Sequence, residues 1–368
     1  MSTEFVPPVR ADLVGIYAYG APQLDVAARL NVNENPFPLP DSVVDAIAEA
    51  VRSAAHELNR YPERDAVELR AALAEFIVKD CGVELPVDQV WAANGSNEVM
   101  HQIFLAFGGP GRRALTFEPT YSMYPEYARD TFTDFRVLPR LPDFTVDVKR
   151  AVDAIADLRP SIVILTSPNN PTGTSQDLLD TRVIAQAALT HGAMVVVDEA
   201  YAEFRRDGVP SACELLDEFP NLIITRTMSK AFGLAGARLG YALVADPRVV
   251  DVLKVVRLPY HLSAITQAVA MAALSNSELL TAQVHLIRSE RDALAQWLAA
   301  QGFDVAQSDA NFILFGTFVD RHAVWQRLLE NGVLVRETGP PQWLRVSVGT
   351  PEENAMFRDA LLRAKEDQ

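Results

Sequence analysis

An α/β fold is predicted for this chain, with one large domain on a mostly parallel sheet covered by helices and a smaller α+β domain after it. Three observations carry that prediction. Between Gln89 and Ala245, short apolar runs alternate with helix-length segments: Val90-Trp-Ala-Ala, Ala114-Leu-Thr-Phe, Ser161-Ile-Val-Ile-Leu, Met194-Val-Val-Val, Leu222-Ile-Ile and Leu239-Gly-Tyr-Ala-Leu-Val. The runs are continuously apolar, as expected of strands buried on both faces of a parallel sheet. At 368 residues the chain is long for one core and comfortable for two subdomains. No G-x-G-x-x-G follows a strand, so the pattern is one large α/β domain, not two dinucleotide-binding halves.

Taken in order, residues 1–40 form an arm rich in proline and asparagine. It carries Tyr-Ala-Tyr-Gly-Ala-Pro at 17–22, with Tyr19 inside it, and Leu-Asn-Val-Asn-Glu-Asn-Pro at 30–36, with Asn33 at its centre. Asp41 is expected to cap a helix whose apolar face holds Val43, Val44, Ile47 and Val51. After Asn59-Arg-Tyr-Pro, which includes Tyr61, a second helix is expected from about Asp65, with Leu69, Leu73 and Phe76 on one face, to a stop at Gly82. The large domain is expected to span 41–260. Residues 247–256 and 264–302 read as helical, the latter broken near Asn276. A small domain at 261–368 then alternates strands (Asn311-Phe-Ile-Leu-Phe, Val333-Leu-Val-Arg, Leu344-Arg-Val-Ser-Val) with helices over 320–331 and from Glu352. The arm is expected to complete that small domain.

The formal charge of −15 argues against nucleic acid or an anionic membrane as the main partner. Any bound anion needs a local pocket of arginines and backbone N–H groups. Cys81 and Cys213 show no disulfide framework, and the six histidines show no metal-ligand spacing, so no metal is expected. No stretch approaches the ~18 apolar residues of a membrane span, and the N-terminus lacks a basic region followed by an apolar run. A soluble, cytoplasmic protein is expected.

Chemistry concentrates in residues 225–240, Thr-Arg-Thr-Met-Ser-Lys-Ala-Phe-Gly-Leu-Ala-Gly-Ala-Arg-Leu-Gly. Lys230 follows Ser229, lies near Thr227 and precedes Arg238. It is expected in the loop leaving a strand's C-terminal end, where open α/β sheets bind ligands. A lysine there suits a Schiff base to a cofactor whose phosphate is held nearby; a plain surface lysine is the competing role. Three other segments point the same way. Asn94-Gly-Ser-Asn-Glu follows a strand and opens a helix, and the free N–H groups of that terminus can seat a phosphate at Gly95, Ser96 and Asn97. Thr166-Ser-Pro-Asn-Asn-Pro-Thr-Gly follows another strand and places Asn170 in a stiffened turn. In Val195-Val-Val-Asp-Glu-Ala-Tyr, Asp198 ends an apolar strand, where a carboxylate needs a partner to offset desolvation. A protonated ring nitrogen would serve, and a helix cap is the competing role.

Together these pieces resemble the fold-type I (class II-like) pyridoxal-phosphate-dependent aminotransferases, over nearly the whole chain. Asn170 and Asp198 are 28 residues apart, and Asp198 and Lys230 are 32 apart. The resemblance implies a mostly parallel sheet of the seven-stranded type. It implies that Lys230 carries pyridoxal 5'-phosphate and moves a proton at the substrate α-carbon. Asp198 would hold the ring nitrogen, Asn170 and Tyr201 the phenolic oxygen, and Tyr121 would stack on the ring. Ser96, Asn97, Ser229, Arg238 and Thr227 would hold the phosphate. Tyr61 would reach the phosphate in the other subunit, which implies a homodimer.

Within that family the chain most resembles the subgroup that transaminates histidinol phosphate against 2-oxoglutarate, in its 30–36 motif, Asn59-Arg-Tyr-Pro-Glu, Tyr19-Gly-Ala-Pro, and the arginines Arg336 and Arg345. A site that serves a phosphate and then a dicarboxylate needs guanidinium groups, which bond bidentately to either anion. Inter-strand ion pairs are the competing role for both arginines. Tyr19 and Tyr260 are candidates for the imidazole pocket, with Asn33 on the arm beside it; core packing competes for Tyr260. The rival substrate reading is an aromatic amino-acid aminotransferase of the same subgroup.

Overall fold

The apolar runs are strands in the computed structural model, which describes residues 5–18 and 20–366. In chain order the first strands are β1 (Ala28–Arg29), β2 (Val90–Ala93), β3 (Arg113–Glu118), β4 (Asp134–Pro139), β5 (Ile162–Thr166) and β6 (Met194–Asp198). There follow β7 (Leu222–Thr227), β8 (Gly240–Val244), β9 (Asp304–Val305), β10 (Phe312–Gly316), β11 (Val333–Leu334) and β12 (Leu344–Ser347). The large sheet has seven strands in the order β2-β8-β7-β6-β5-β3-β4. Neighbours from β7 to β4 are parallel, whereas β8 runs antiparallel to both β2 and β7. The sheet is therefore mostly parallel, as predicted.

The reason for the unbroken apolar runs is visible in the packing. Ile162 and Ile164 of β5 enter one apolar cluster while Val163 and Leu165 enter the other, and Val196 faces away from Val195 and Val197 in the same way. Each of these side chains contributes about 1.5–3 kcal/mol by leaving water. β4 escaped the sequence reading. It is an edge strand with half-exposed residues, and its Asp-Phe-Arg-Val-Leu-Pro lacks the buried signature.

A third cluster joins Leu294, Ile313, Phe315, Val333, Val346 and Phe357 to Ala28 and Leu30 of the arm. β10 pairs with β12 and β9, and β1 of the arm pairs in parallel with β11. Two expectations are corrected. Asp41 is the first helical residue of Asp41–Ala55, and Pro40 holds the cap position with no side-chain bond, so Asp41 acts on the helix dipole only. The helix Ala264–Ser275 and the start of Ser277–Ala300 were expected in the small domain from residue 261. Instead Leu262, Ala270, Leu274, Leu280 and Ile287 join the large sheet's cluster, and Leu294 and Leu298 join the third. The packing therefore divides within Ser277–Ala300, because one long helix spans both cores.

Candidate active site

Parallel pairing brings the ends of β5, β6 and β7 into line, with Thr166 beside Asp198 and Asp198 beside Thr225. The loops beyond these ends converge with the helix Gly95–Phe107 and the arm on one cavity of about 300 Å³. Ser96, Asn97, Tyr121, Asn170, Asp198, Tyr201, Thr227, Ser229, Lys230 and Arg238 line it, as do Asn33, Arg336 and Arg345. Residues chosen from motifs far apart in sequence thus meet at one place.

Asp198 is 5% exposed. Tyr124 Oη donates to its Oδ2 at 2.7 Å and Thr225 Oγ1 to its Oδ1 at 3.2 Å. Burial pushes the carboxyl up, opposed by those hydroxyls and by the Ala200 N–H. It does not cap a helix, since the short helical turn after it starts at Tyr201 with no side-chain cap. Tyr124, whose hydroxyl also meets Thr166 Oγ1 at 2.9 Å, and Thr225 were missed by the sequence reading. The only signal for Tyr124 was its place three residues after Tyr121.

Lys230 Nζ donates to the Val32 carbonyl at 2.9 Å and lies 5.9 Å from the Tyr201 ring centroid. Burial pulls its ammonium down to about 8, helped by Arg345 and Arg238 and opposed by Glu34. Tyr201 Oη accepts from Asn33 Nδ2 at 3.0 Å and from Asn170 Nδ2 at 3.4 Å. Arg345, on β12, is buried over the Phe312 ring, donates to Asn170 Oδ1, and donates to the Asn31 carbonyl at 2.8 Å. Arg336 and Arg345 pair through their backbones, N to O at 3.0 Å in both directions. Arg336 makes no ion pair with a carboxylate among the described residues.

Two candidates stand elsewhere. Tyr260 does not line the cavity. It stacks on Tyr61 with ring centroids 4.4 Å apart, and Tyr61 is 80% exposed. Within its own chain Tyr260 therefore stands with Tyr61, away from this cavity. Residues 258–260 leave the helix Pro247–Val256 along the surface, with Tyr260 at positive φ. Tyr19 lies outside the described residues. No helix among the described residues is long and apolar enough to cross a membrane, and no group of three His, Cys, Asp or Glu is placed to hold a metal ion.

The sequence pattern described as aminotransferase class I and II matches residues 27–361. The chain belongs to this family. A histidinol-phosphate aminotransferase of Thermobifida fusca is 58% identical over 357 residues, 97% of this chain and 95% of its own length. Histidinol-phosphate aminotransferase 3 of Burkholderia lata is 56% identical over 355 residues, covering 96% and 95%. Among solved structures, an aspartate aminotransferase from Thermus thermophilus with maleate superposes with a TM-score of 0.79 at 27% identity, covering 93% of this chain and 92% of that one. A histidinol-phosphate aminotransferase from Sinorhizobium meliloti in complex with pyridoxal-5'-phosphate superposes with a TM-score of 0.87 over 100% of both chains, and at 24% identity it attests the shared fold.

Pyridoxal phosphate is the cofactor of this aminotransferase, and the cavity fits it. A Cβ on Gly95, whose φ is +80°, would lie 2.7 Å from Arg238 Nη2, and a Cβ on Gly240 would lie 2.1 Å from the Ser96 nitrogen. Two bare glycines thus let a guanidinium and a helix N-terminus close on the hydroxyls of Thr227 and Ser229, themselves 3.0 Å apart. That is an anion cradle. The buried Asp198 suits a protonated ring nitrogen, and Lys230 lines the cavity with them.

Proposed function

We propose that the enzyme exchanges the amino group between L-histidinol phosphate and 2-oxoglutarate, giving imidazole acetol phosphate and L-glutamate, as a step of histidine biosynthesis. The observation that carries this reading is the pair Arg336 and Arg345 on the cavity wall that also holds Lys230. Guanidinium groups there bind a phosphate in one half-reaction and a carboxylate in the other. Relatives bearing the histidinol-phosphate aminotransferase name, at 50–58% identity, support this reading over the aromatic one.

Bound in the cavity, pyridoxal phosphate supplies an aldehyde that condenses with amines and a ring that withdraws electrons from the attached carbon. The chain's residues do the rest. Arg238, Thr227, Ser229 and the N–H groups of Ser96 and Asn97 hold the phosphate, and Asp198 keeps the ring nitrogen protonated. Tyr124 and Thr225 hold that carboxylate in place. Tyr201 and Asn170 bond the phenolic oxygen, and Tyr121 packs on the ring. Lys230 would take the proton from the substrate α-carbon and deliver it to the cofactor's aldehyde-derived carbon. Arg336 and Arg345 fix the substrate's anionic end, and Asn33 and Asn170 hold Tyr201 and Arg345 at the wall.

The test is a half-reaction. Adding histidinol phosphate to the loaded enzyme should convert the cofactor's absorbance band, and kcat/KM for histidinol phosphate should exceed that for phenylalanine. Lys230→Ala should abolish both the Schiff-base band and turnover. Preference for phenylalanine would transfer the enzyme to the aromatic reading.

A homodimer is proposed on the family resemblance, in which Tyr61, exposed in this chain, would reach the phosphate of the cofactor in a second subunit. Light scattering should read about twice 40.5 kDa, and a fully active monomer would contradict it. A cytoplasmic location is proposed on two unpaired cysteines, and cell fractionation tests it.

A further inference from the structure

Glu34 and Asp198 are the two carboxylates that line the cavity. Asp198 is engaged by Tyr124 and Thr225. Glu34 is exposed, and its carboxylate makes no hydrogen bond or ion pair with a described residue. Its backbone, in contrast, is held firmly on both sides. Asn33, at φ +56°, donates to Tyr201 and accepts from Ser347 Oγ at 2.9 Å. Asn35 Nδ2 donates to the Ala231 carbonyl at 3.3 Å and to Gln283 Oε1 at 3.2 Å. A charge presented from a clamped segment into a cavity, with no hydrogen-bond or ion-pair partner among the described residues, is placed for a ligand.

The order of groups along that segment indicates which part of a ligand. The Asn31 carbonyl accepts from Arg345, the Val32 carbonyl accepts from Lys230, and Glu34 lies two residues further on. The segment therefore ranks an anion-binding guanidinium, the reacting amine and a free carboxylate in sequence, within the ~10 Å that three residues can span. Histidinol phosphate has the same order: a phosphate, the amine-bearing carbon, then an imidazole whose N–H is a donor. Glu34 also lines the adjoining cavity beside Asp25 and Arg29, so its side chain stands at the seam between the two spaces.

We propose that Glu34 is a specificity-determining residue that accepts a hydrogen bond from the substrate's imidazole N–H, an assignment that rests on the histidinol-phosphate reading above. A second consequence separates this role from any other. Glutamate enters the same cavity with two carboxylates. When one occupies the arginines, the other lies toward Glu34 and is repelled by it. Removing the charge therefore acts on the two substrates in opposite directions.

The test compares Glu34→Gln and Glu34→Asp with the wild type in both half-reactions, using L-histidinol phosphate and L-glutamate as the probes. For Glu34→Gln, kcat/KM for histidinol phosphate should fall about tenfold, the scale of one charge-assisted hydrogen bond, and the loss should appear in KM. The value for glutamate should hold or rise, and Glu34→Asp should recover part of the loss. Thermal melting, independent of turnover, should match the wild type, and a pH titration of the cofactor band should move only by the small amount that removing the Glu34 charge from Lys230 gives. Equal losses with both substrates would mean that Glu34 acts only on Lys230, overturning the proposal. Unchanged kinetics with histidinol phosphate would overturn it as well. A wild type that does not convert histidinol phosphate would instead overturn the substrate reading, a separate result that removes this assignment with it.

Discussion

Lys230 is one of five lysines in the chain. Burial does most of the work of pulling its ammonium down to about 8, the charges of Arg345 and Arg238 add to it, and Glu34 opposes. The direction has two consequences. Between about 8 and lysine's ordinary value of 10.5 the folded protein has shed a proton that the unfolded chain retains, so this group's contribution to stability rises with pH across that window. Above about 8 the amine is also a free nucleophile at the cavity wall. In the cofactor-free protein, an acylating reagent should therefore modify Lys230 with a midpoint near pH 8, read by mass spectrometry of its peptide. A midpoint near 10.5 would show that the site does not desolvate this amine.

At the scale of elements, the phosphate cradle depends on how closely a strand, a helix end and an arginine approach. The two glycines there do different things. Gly95 leaves room for the Arg238 guanidinium, a flexible group that can move aside. Gly240 leaves room for the Ser96 nitrogen and the Gly95 carbonyl carbon, which are backbone and cannot. Gly95→Ala, which also carries the strain of positive φ, should loosen the cofactor with a modest loss of stability, of order 1 kcal/mol. Gly240→Ala should force β8 away from the helix Gly95–Phe107 and cost several kcal/mol, of order 3 or more. Denaturant melts of the cofactor-free variants, paired with equilibrium dialysis of pyridoxal phosphate, separate the two effects. Equal melts for both variants would refute the distinction.

Across the whole molecule, the sheet that positions Asp198 and Thr227 is braced by charge. Arg226 of β7 is fully buried and pairs with Glu199 at 2.8 Å and with Asp80 of the helix Val67–Cys81 at 2.6 Å. The next residue on each strand, Thr227 or Asp198, faces the cavity, so the ion cluster and the active site occupy adjacent positions of the same strands. Arg226→Ala would strand the buried Glu199 and the half-buried Asp80 and should destabilise the protein by about 3 kcal/mol. Urea unfolding measures this, and a loss below about 1 kcal/mol would mean that the carboxylates neutralise themselves by taking up protons. The two cores are also tied where Arg206 Nε donates to the buried Asp309 Oδ1 at 2.7 Å.

The sequence by itself determined the parallel sheet, since strands buried on two faces must be apolar at every position, as in Met194-Val-Val-Val. It also picked out Asn170, Asp198 and Lys230, because each lies at or just beyond the end of such a strand, where the chemistry is local. Only the tertiary structure decided what holds those groups. Tyr124 reaches Asp198 across 74 residues, and Asn33 reaches Tyr201 across 168. Such pairings are fixed by how elements pack, which no local pattern records. The same cause took Tyr260 to the Tyr61 ring, split a long helix between two cores, and put Glu34 on the wall of the cavity that holds Lys230.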